Sequence, residues 1–65
     1  MESNWIIIFT TGKLYLAEMA KAILEDNDIE VIVMNKQDSF YLIGDIEVYV
    51  KPEDVIRAKF LIKDL

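Results

Sequence analysis

The chain opens with an uninterrupted apolar run and then changes to a helical period. Residues 5–9 are all β-branched or aromatic, which is typical of a strand covered on both faces. We therefore predict a central strand over about residues 4–10, ended by the turn-forming residues 10–12. Over residues 13–26 the apolar positions recur every three or four residues and predict an amphipathic helix. Its inward positions are Leu16, Met19, Ala20, Ile23 and Leu24, with Ala17 at the edge.

Both ends of this helix have candidate cap residues. Thr11 is the best placed side chain to cap the beginning, because its hydroxyl can accept from a free backbone N–H of the first turn. Asn27 can take the left-handed backbone conformation that closes a helix. We therefore expect the helix to end at about Asp26.

Strict alternation of side chains follows the helix. Residues 29–35 predict a second strand, in which three aliphatic residues share one side and Glu30, Ile32 and Met34 share the other. Glu30 is the only charged residue of this strand, so its second side is largely apolar as well. The polar residues 36–39 predict a connection after it.

A third strand is predicted later in the chain. Residues 46–50 alternate as a half-buried strand should, with Glu47 and Tyr49 on the side away from the helices. Before it, residues 40–43 are apolar enough to make an extra strand that turns at Gly44. The same residues could instead form a loop, and the sequence leaves the two alternatives open.

A second helix is predicted over about residues 53–64. Pro52 suits the first position of a helix, and Glu53 and Asp54 place negative charge at the positive end of the helix dipole. The apolar stripe that follows has the spacing needed to pack on a sheet. It consists of Val55, Ala58, Leu61, Ile62 and Leu65.

Together these elements predict an α+β fold in the order strand, helix, strand, strand, helix. Two amphipathic helices have to cover a sheet, so we expect a two-layer ferredoxin-like βαββα sandwich with an antiparallel sheet and both helices on one face. Residues 1–65 are expected to form a single domain. The final edge strand of a complete ferredoxin-like fold is expected to be missing, which leaves one sheet edge unpaired.

Size and charge limit the classes of partner. A 65-residue chain buries only ~60% of the surface of its unfolded form, so a chain without cysteine needs dense apolar packing or further burial against other subunits. The net charge of -5 repels nucleic acid and anionic membranes. The longest apolar run is far short of the ~20 residues of a membrane span and has no features of a signal peptide. We therefore expect a cytoplasmic protein.

Side chains that usually carry chemistry are nearly absent. The chain has no cysteine and no histidine, and its only serines are Ser3 and Ser39. A nucleophile would lack a positioned base, and acidic residues such as Glu53 and Asp54 are explained by the helix dipole. We therefore predict no catalytic residue, no cofactor and no metal site, and a protein that is not an enzyme.

Several segments together resemble a known family. They are Trp5 in the first strand, Ala-Ile-Leu-Glu-Asp-Asn at 22–27, Ile-Glu-Val-Ile-Val-Met-Asn-Lys-Gln-Asp at 29–38, Val-Tyr-Val-Lys-Pro-Glu-Asp at 48–54 and Arg-Ala-Lys at 57–59. In this order they resemble the small prokaryotic domain family labelled putative signal-transducing protein, whose function is unknown. The resemblance covers nearly the whole chain, from the first strand to the last helix.

Some parts of this resemblance are more specific than others. Asn35-Lys36-Gln37-Asp38 and Val50-Lys51-Pro52-Glu53-Asp54 are the most specific segments. Members of the family often have glycine at the position of Asp28, which could move the left-handed residue of the helix end one position beyond Asn27. This departure affects local geometry only.

The family resemblance also implies a relation to the PII nitrogen-regulatory proteins. These share a split βαβ topology, form trimers and bind nucleotide at clefts between subunits, beside a long loop. Residues 36–45 would correspond to that loop, although they are few, and Lys36 and Lys51 would be the candidate contacts of an effector. Phosphates normally need backbone nests or several basic side chains, and scattered lysines in an acidic chain, such as these two and Lys13, are most often solvated surface charges.

Two surfaces are predicted to be too apolar to remain exposed to solvent. With both helices on one face, the opposite face of the sheet presents Ile32, Met34 and Tyr49; the alternative is that residues 40–43 or a chain end fold over it. On the second helix, Ile56 and Phe60 lie four residues apart and away from the inward stripe. They could form a partner contact or be ordinary surface side chains.

These observations predict a non-enzymatic regulatory or protein-interaction module. We expect it to associate with itself through the open sheet face, as a dimer or trimer, or to bind another protein. The alternative is a sensor of a small molecule, a nucleotide or a metabolite, that binds between subunits near Lys36 and Lys51. No nucleic acid and no membrane is expected among the partners.

Overall fold

A computed structural model describes residues 4–38, 40–41 and 43–65. Within them the chain forms a three-stranded antiparallel sheet and two helices, so the predicted α+β class is confirmed. The elements are β1 (Ile6–Thr11), α1 (Leu14–Asp26), β2 (Ile32–Asn35), β3 (Ile46–Val50), a single 3-10 turn at Pro52–Asp54, and α2 (Val55–Leu61).

β3 lies in the middle of the sheet. It pairs antiparallel with β1 on one side and with β2 on the other. The prediction that the first strand is central is therefore wrong, since β1 has one neighbour within the described sheet. Its apolar run has another cause: a bulge lies between Ile7 and Phe9, so that Ile8 and Phe9 both pack towards the core while Ile6 and Ile7 remain exposed.

One hydrophobic core joins the sheet to both helices. Ile46, Val48 and Val50 occupy alternate positions of β3, therefore lie on one face, and are completely buried. Both helices contribute to the same cluster, so both cover this face of the sheet. The helical members are Ala17, Ala20, Leu24, Ala58 and Ile62.

The helices pack close to the sheet through their smallest residues. Ala17, Ala20 and Ala58 have no exposed surface, which places the centre of the buried face of α1 on Ala17 and Ala20. Met19 then falls outside that face and is exposed, so its predicted inward position is wrong. The predicted stripe of the second helix packs against the core throughout, although α2 itself ends at Leu61.

The end of α1 is closed by Asp28 and not by Asn27. Asp28 has a φ of 62°, in the left-handed region, whereas Asn27 has a φ of -107°. The backbone N–H groups of Ile29 and Asp28 donate to the carbonyl oxygens of Leu24 and Glu25, at 3.0 and 3.1 Å. This is a Schellman arrangement, and it moves the left-handed residue by the one position that the family resemblance allows.

The beginning of α1 also differs from the prediction. Lys13 occupies the cap position, and no side chain caps the first turn. Thr11 instead accepts a hydrogen bond at 3.1 Å from the backbone N–H of Lys13. The hydroxyl therefore stabilises the turn before the helix and does not cap the helix.

Candidate interaction surfaces

The face of the sheet opposite the helices forms a regular grid. Ile7 on β1 and Ile32 on β2 both lie opposite Tyr49 of β3. One row further along, Glu47 lies between Thr10 and Met34. The predicted residues Ile32, Met34 and Tyr49 thus share one surface, which we call the open face. Its members are Ile7, Thr10, Ile32, Met34, Glu47 and Tyr49.

Glu47 lies near the middle of this apolar surface and is held by two partners. The Tyr49 hydroxyl donates to Glu47 Oε1 at 2.7 Å, and Lys36 Nζ lies 3.1 Å from the same oxygen. The hydrogen bond from Tyr49, followed by that from Lys36, lowers the pKa of Glu47. In turn, hydrogen bonding to Glu47 raises the pKa of Lys36 and of Tyr49. The carboxylate is therefore charged, but its charge is compensated within the molecule.

A second ion pair lies at the other end of β3. Lys51 Nζ is 3.1 Å from Glu30 Oε1 and 5.6 Å from the centre of the Trp5 ring. The hydrogen bond to Glu30 raises the pKa of Lys51. Lys36 and Lys51, the two predicted effector contacts, therefore lie at opposite ends of β3 and each already has a carboxylate partner.

The hairpin between β2 and β3 ends in a turn and not in an extra strand. Backbone bonds continue the ladder from Lys36 N–H to the Asp45 carbonyl and from Asp38 N–H to the Ile43 carbonyl, at 3.0 and 2.8 Å. Phe40 and Tyr41 form the turn, and both of their backbone N–H groups donate to Asp38 Oδ1. Of the two alternatives left open for residues 40–43, the described ones form a turn and not a strand; Leu42 and the neighbouring Ser39 lie outside the described residues.

The side chains of this turn point into solvent. Phe40 is 83% exposed, and Tyr41 and Ile43 are also mostly exposed. The two aromatic rings meet edge to face with their centres 5.0 Å apart. These three residues do not cover the open face, where Ile7 and Met34 remain 44% and 38% exposed. We call residues 38–45 the hairpin tip, for its described members.

The specific tetrapeptide at 35–38 organises this hairpin. Asn35 Oδ1 accepts from the backbone N–H of Gln37 at 2.9 Å. Gln37 Nε2 donates to the carbonyl of Gly12 at 2.6 Å and so joins the hairpin to the turn before α1. With Lys36 bonded to Glu47 and Asp38 bonded to the turn, each of the four side chains has a structural contact. The sequence indicated that this segment is specific to the family resemblance, but it did not predict these hydrogen bonds or the ion pair.

Ile56 and Phe60 form a separate surface on α2. Ile56 is 86% exposed and Phe60 66%. Lys63 Nζ lies 5.2 Å from the centre of the Phe60 ring, and the Arg57 guanidinium donates to the Asn27 carbonyl at 2.8 Å. We call this surface the α2 spot. Its members are Ile56, Arg57, Lys59, Phe60 and Lys63.

One exposed apolar surface has no counterpart in the predictions. Leu14, Tyr15 and Met19 of α1 are all exposed, and Tyr15 and Met19 lie one helical turn apart. Assigning Met19 to the inward face concealed this patch. A helical projection centred on Ala17 and Ala20 would have revealed it.

The described part of the chain shows no metal-binding cluster and no ligand pocket. Residues 4–38, 40–41 and 43–65 contain no cluster of three or more potential metal ligands, and no pocket opens among them. No helix there has the length and apolarity to cross a membrane.

The fold and its surfaces define a small α+β domain with an apolar sheet face, an aromatic hairpin tip and an apolar spot on its second helix. The chain belongs to the family described as "Putative prokaryotic signal transducing protein", whose model matches residues 5–65. The resemblance stated from residues 35–38 and 50–54 is thereby confirmed. Neither the curated proteins nor the solved structures gave a match.

Proposed function

We propose that this domain is a non-enzymatic interaction module of signal transduction that associates with itself through the open face. The family description supplies the signalling context. The arrangement of charges on the open face supplies the reason for self-association, and it is the observation on which the proposal depends.

Two copies of a chain with a net charge of -5 repel each other as a whole, and an unpaired charge within their contact surface would add a local cost to that repulsion. On the open face, Glu47 is paired with Lys36, and at the end of the same strand Glu30 is paired with Lys51. The surface between these ion pairs consists mainly of Ile7, the β2 side chains and the Tyr49 ring. Two such faces can therefore meet without bringing an unpaired charge out of water, which would be costly.

The small size of the domain favours the same conclusion. An interface of ordinary size buries about 800 Å² on each partner, and the whole chain exposes 4587 Å². An interface of that size would therefore cover about a sixth of the available surface. A symmetric dimer, in which each copy offers the same patch, is the commonest way to bury it.

We also infer that the fold is the ferredoxin-like split βαβ arrangement. β1 and β2 flank β3 and run antiparallel to it, and α1 connects the two flanking strands. This order leaves one face of the sheet without helices, as the proposed interface requires.

Sedimentation of the purified chain tests the proposal. We expect wild type to have more than the mass of one chain, and Met34→Glu and Tyr49→Glu to lower that mass, because each places an uncompensated carboxylate in the contact. Ala22→Glu, on an exposed position of α1, is the matched control and should leave the mass unchanged. A wild-type chain that remains monomeric at all concentrations would refute self-association.

The sensor predicted as the alternative has less support from the geometry. Lys36 and Lys51 lie at opposite ends of β3, and the positive charge of each is already compensated by Glu47 or Glu30. A thermal-shift screen of nucleotides and metabolites separates the two functions, because a ligand of the folded state raises the melting temperature with its concentration. A dose-dependent rise would favour the sensor.

A further inference from the structure

The hairpin tip and the α2 spot are both exposed and apolar but carry opposite charges. Asp38 and Asp45 border the tip, and no basic residue occurs between them. The α2 spot carries Arg57, Lys59 and Lys63, three of the seven basic residues of the chain. Although the chain is acidic as a whole, its positive charge is thus concentrated at the α2 spot, and the hairpin tip carries only negative charge.

The positive charges of the α2 spot are not neutralised by an ion pair among the described residues. Lys36 and Lys51 form ion pairs on the sheet side, whereas the described residues pair none of Arg57, Lys59 and Lys63 with a carboxylate within 4.0 Å. Acidic residues are present at the two ends of the second helix, as Glu53 and Asp54 at its beginning and Asp64 after its end. The basic side chains nevertheless surround Ile56 and Phe60 and leave the middle of the spot positive.

Hydrogen bonds hold the backbone of the hairpin tip at Phe40 and Tyr41. Asp38 holds both backbone N–H groups of the turn, at 2.8 and 3.0 Å. Gln37 ties the base of the hairpin to Gly12 at 2.6 Å. Backbone that is already held by hydrogen bonds loses little conformational freedom on binding, and buried aromatic side chains are the usual energetic centres of interfaces.

We propose that the hairpin tip of one copy docks on the α2 spot of a second copy. Phe40 and Tyr41 contact Ile56 and Phe60, and the acidic border of the tip faces Lys59 and its basic neighbours. This inference rests on the proposed self-association and adds a second interface to it. Because tip and spot are different surfaces, a single such contact is heterologous and links copies head to tail.

A head-to-tail contact can be separated from a symmetric one by mixing two damaged variants. The double variant Phe40→Ser/Tyr41→Ser lacks the aromatic side chains of the hairpin tip. The double variant Ile56→Ser/Phe60→Ser lacks the apolar side chains of the α2 spot. All four residues are exposed, so both variants should fold, which circular dichroism checks. Each variant retains the half that the other lacks, so an equal mixture should restore one contact.

The experiment is done in the Tyr49→Glu background, so that the open face does not contribute. In sedimentation, this parent chain should assemble with rising concentration, each damaged variant should be monomeric, and their mixture should reach twice the mass of one chain. Tyr15→Ser with Met19→Ser removes another exposed apolar patch and should leave assembly of the parent unchanged. A mixture that stays monomeric, or a parent that does not assemble, overturns the inference.

Exchanging an acidic residue of the hairpin tip with a basic residue of the α2 spot tests whether these two residues pair across the contact. Asp45→Lys and Lys59→Glu should each weaken head-to-tail assembly by about fivefold, the effect of one exposed ion pair, and the double variant should recover most of the loss. Equal weakening by the singles and the double would contradict this pairing.

Failure of the inference is distinguishable from failure of the proposed function. If wild type assembles and Tyr49→Glu is strictly monomeric, the open face alone accounts for association, and the head-to-tail contact is refuted. If wild type is itself monomeric, both are refuted.

Discussion

On the covered face of β3, Ile46, Val48 and Val50 are completely buried against the helices, whereas on the open face Glu47 and Tyr49 bond to each other and remain partly exposed. One strand of five residues thus serves two purposes. The covered face supplies the burial on which folding depends, and the open face leaves apolar side chains such as Ile7 and Met34 partly exposed. Substitutions on the two sides should therefore have different consequences.

The largest difference is expected between two isoleucines of adjacent strands. Ile46→Ala removes a fully buried side chain and should lower the free energy of unfolding by about 3 kcal/mol, because a cavity remains in the core. Ile32→Ala on the open face should cost under about 1 kcal/mol in the monomer, since its side chain is already partly in contact with water. Urea unfolding measures both; similar losses would contradict the distinction between the faces.

The hairpin that joins β2 to β3 depends on a glycine. Gly44 has a φ of 122°, and a Cβ there would lie 2.8 Å from the carbonyl oxygen of Lys36. Gly44→Ala should therefore lower stability by about 2 kcal/mol, the usual cost of a strained backbone position. Gly12→Ala is the matched control, because nothing lies within 4 Å of its Cβ. Thermal unfolding of the two variants should differ clearly, and equal melting temperatures would count against this account of the turn.

The open face should make a pH-dependent contribution through Glu47. The folded-state pKa of Glu47 is lowered, by Tyr49 first and Lys36 second. A lowered folded-state pKa gives stabilisation that is present above the pKa of the unfolded chain and is lost as the pH falls through the folded-state value. Urea midpoints of wild type should thus decline in acid, and Glu47→Gln should make that decline shallower. The lowered pKa of Asp38 leaves a residual slope in the variant; an unchanged slope would exclude Glu47 as a cause.

The covered side of the molecule was largely predictable and the exposed side was not. Alternation in residues 46–50 and the stripe of the second helix fix which side chains are buried, because burial dominates folding. The position of β1 was mispredicted, since a bulge at Ile8 produces the same apolar run as a strand covered on both faces. The turn at Phe40 and Tyr41 depends on hydrogen bonds to Asp38, which outweigh the strand preference of the aromatic residues.

The surfaces show the same division. Periodicity placed Ile32, Met34 and Tyr49 together, and the register confirms their common face. The ion pairs that neutralise that face were not predicted, because Lys36 and Glu47 are eleven positions apart and meet only through the hairpin. Pairing across strands is a property of register, which in a hairpin is fixed by the type and length of the turn.

The smallest expected effect concerns the residue that closes α1 above the covered face. Asp28 has a left-handed φ of 62°. This backbone conformation is strained for a residue with a Cβ atom, whereas glycine adopts it freely. Asp28→Gly should therefore raise the free energy of unfolding by about 0.5 kcal/mol. Glu25→Gly, within the last turn of the same helix, should instead lower it by about 0.5 to 1 kcal/mol. Opposite shifts in the melting temperature are expected, and a loss in both variants would mean that the Asp28 carboxylate contributes more than its strained backbone costs.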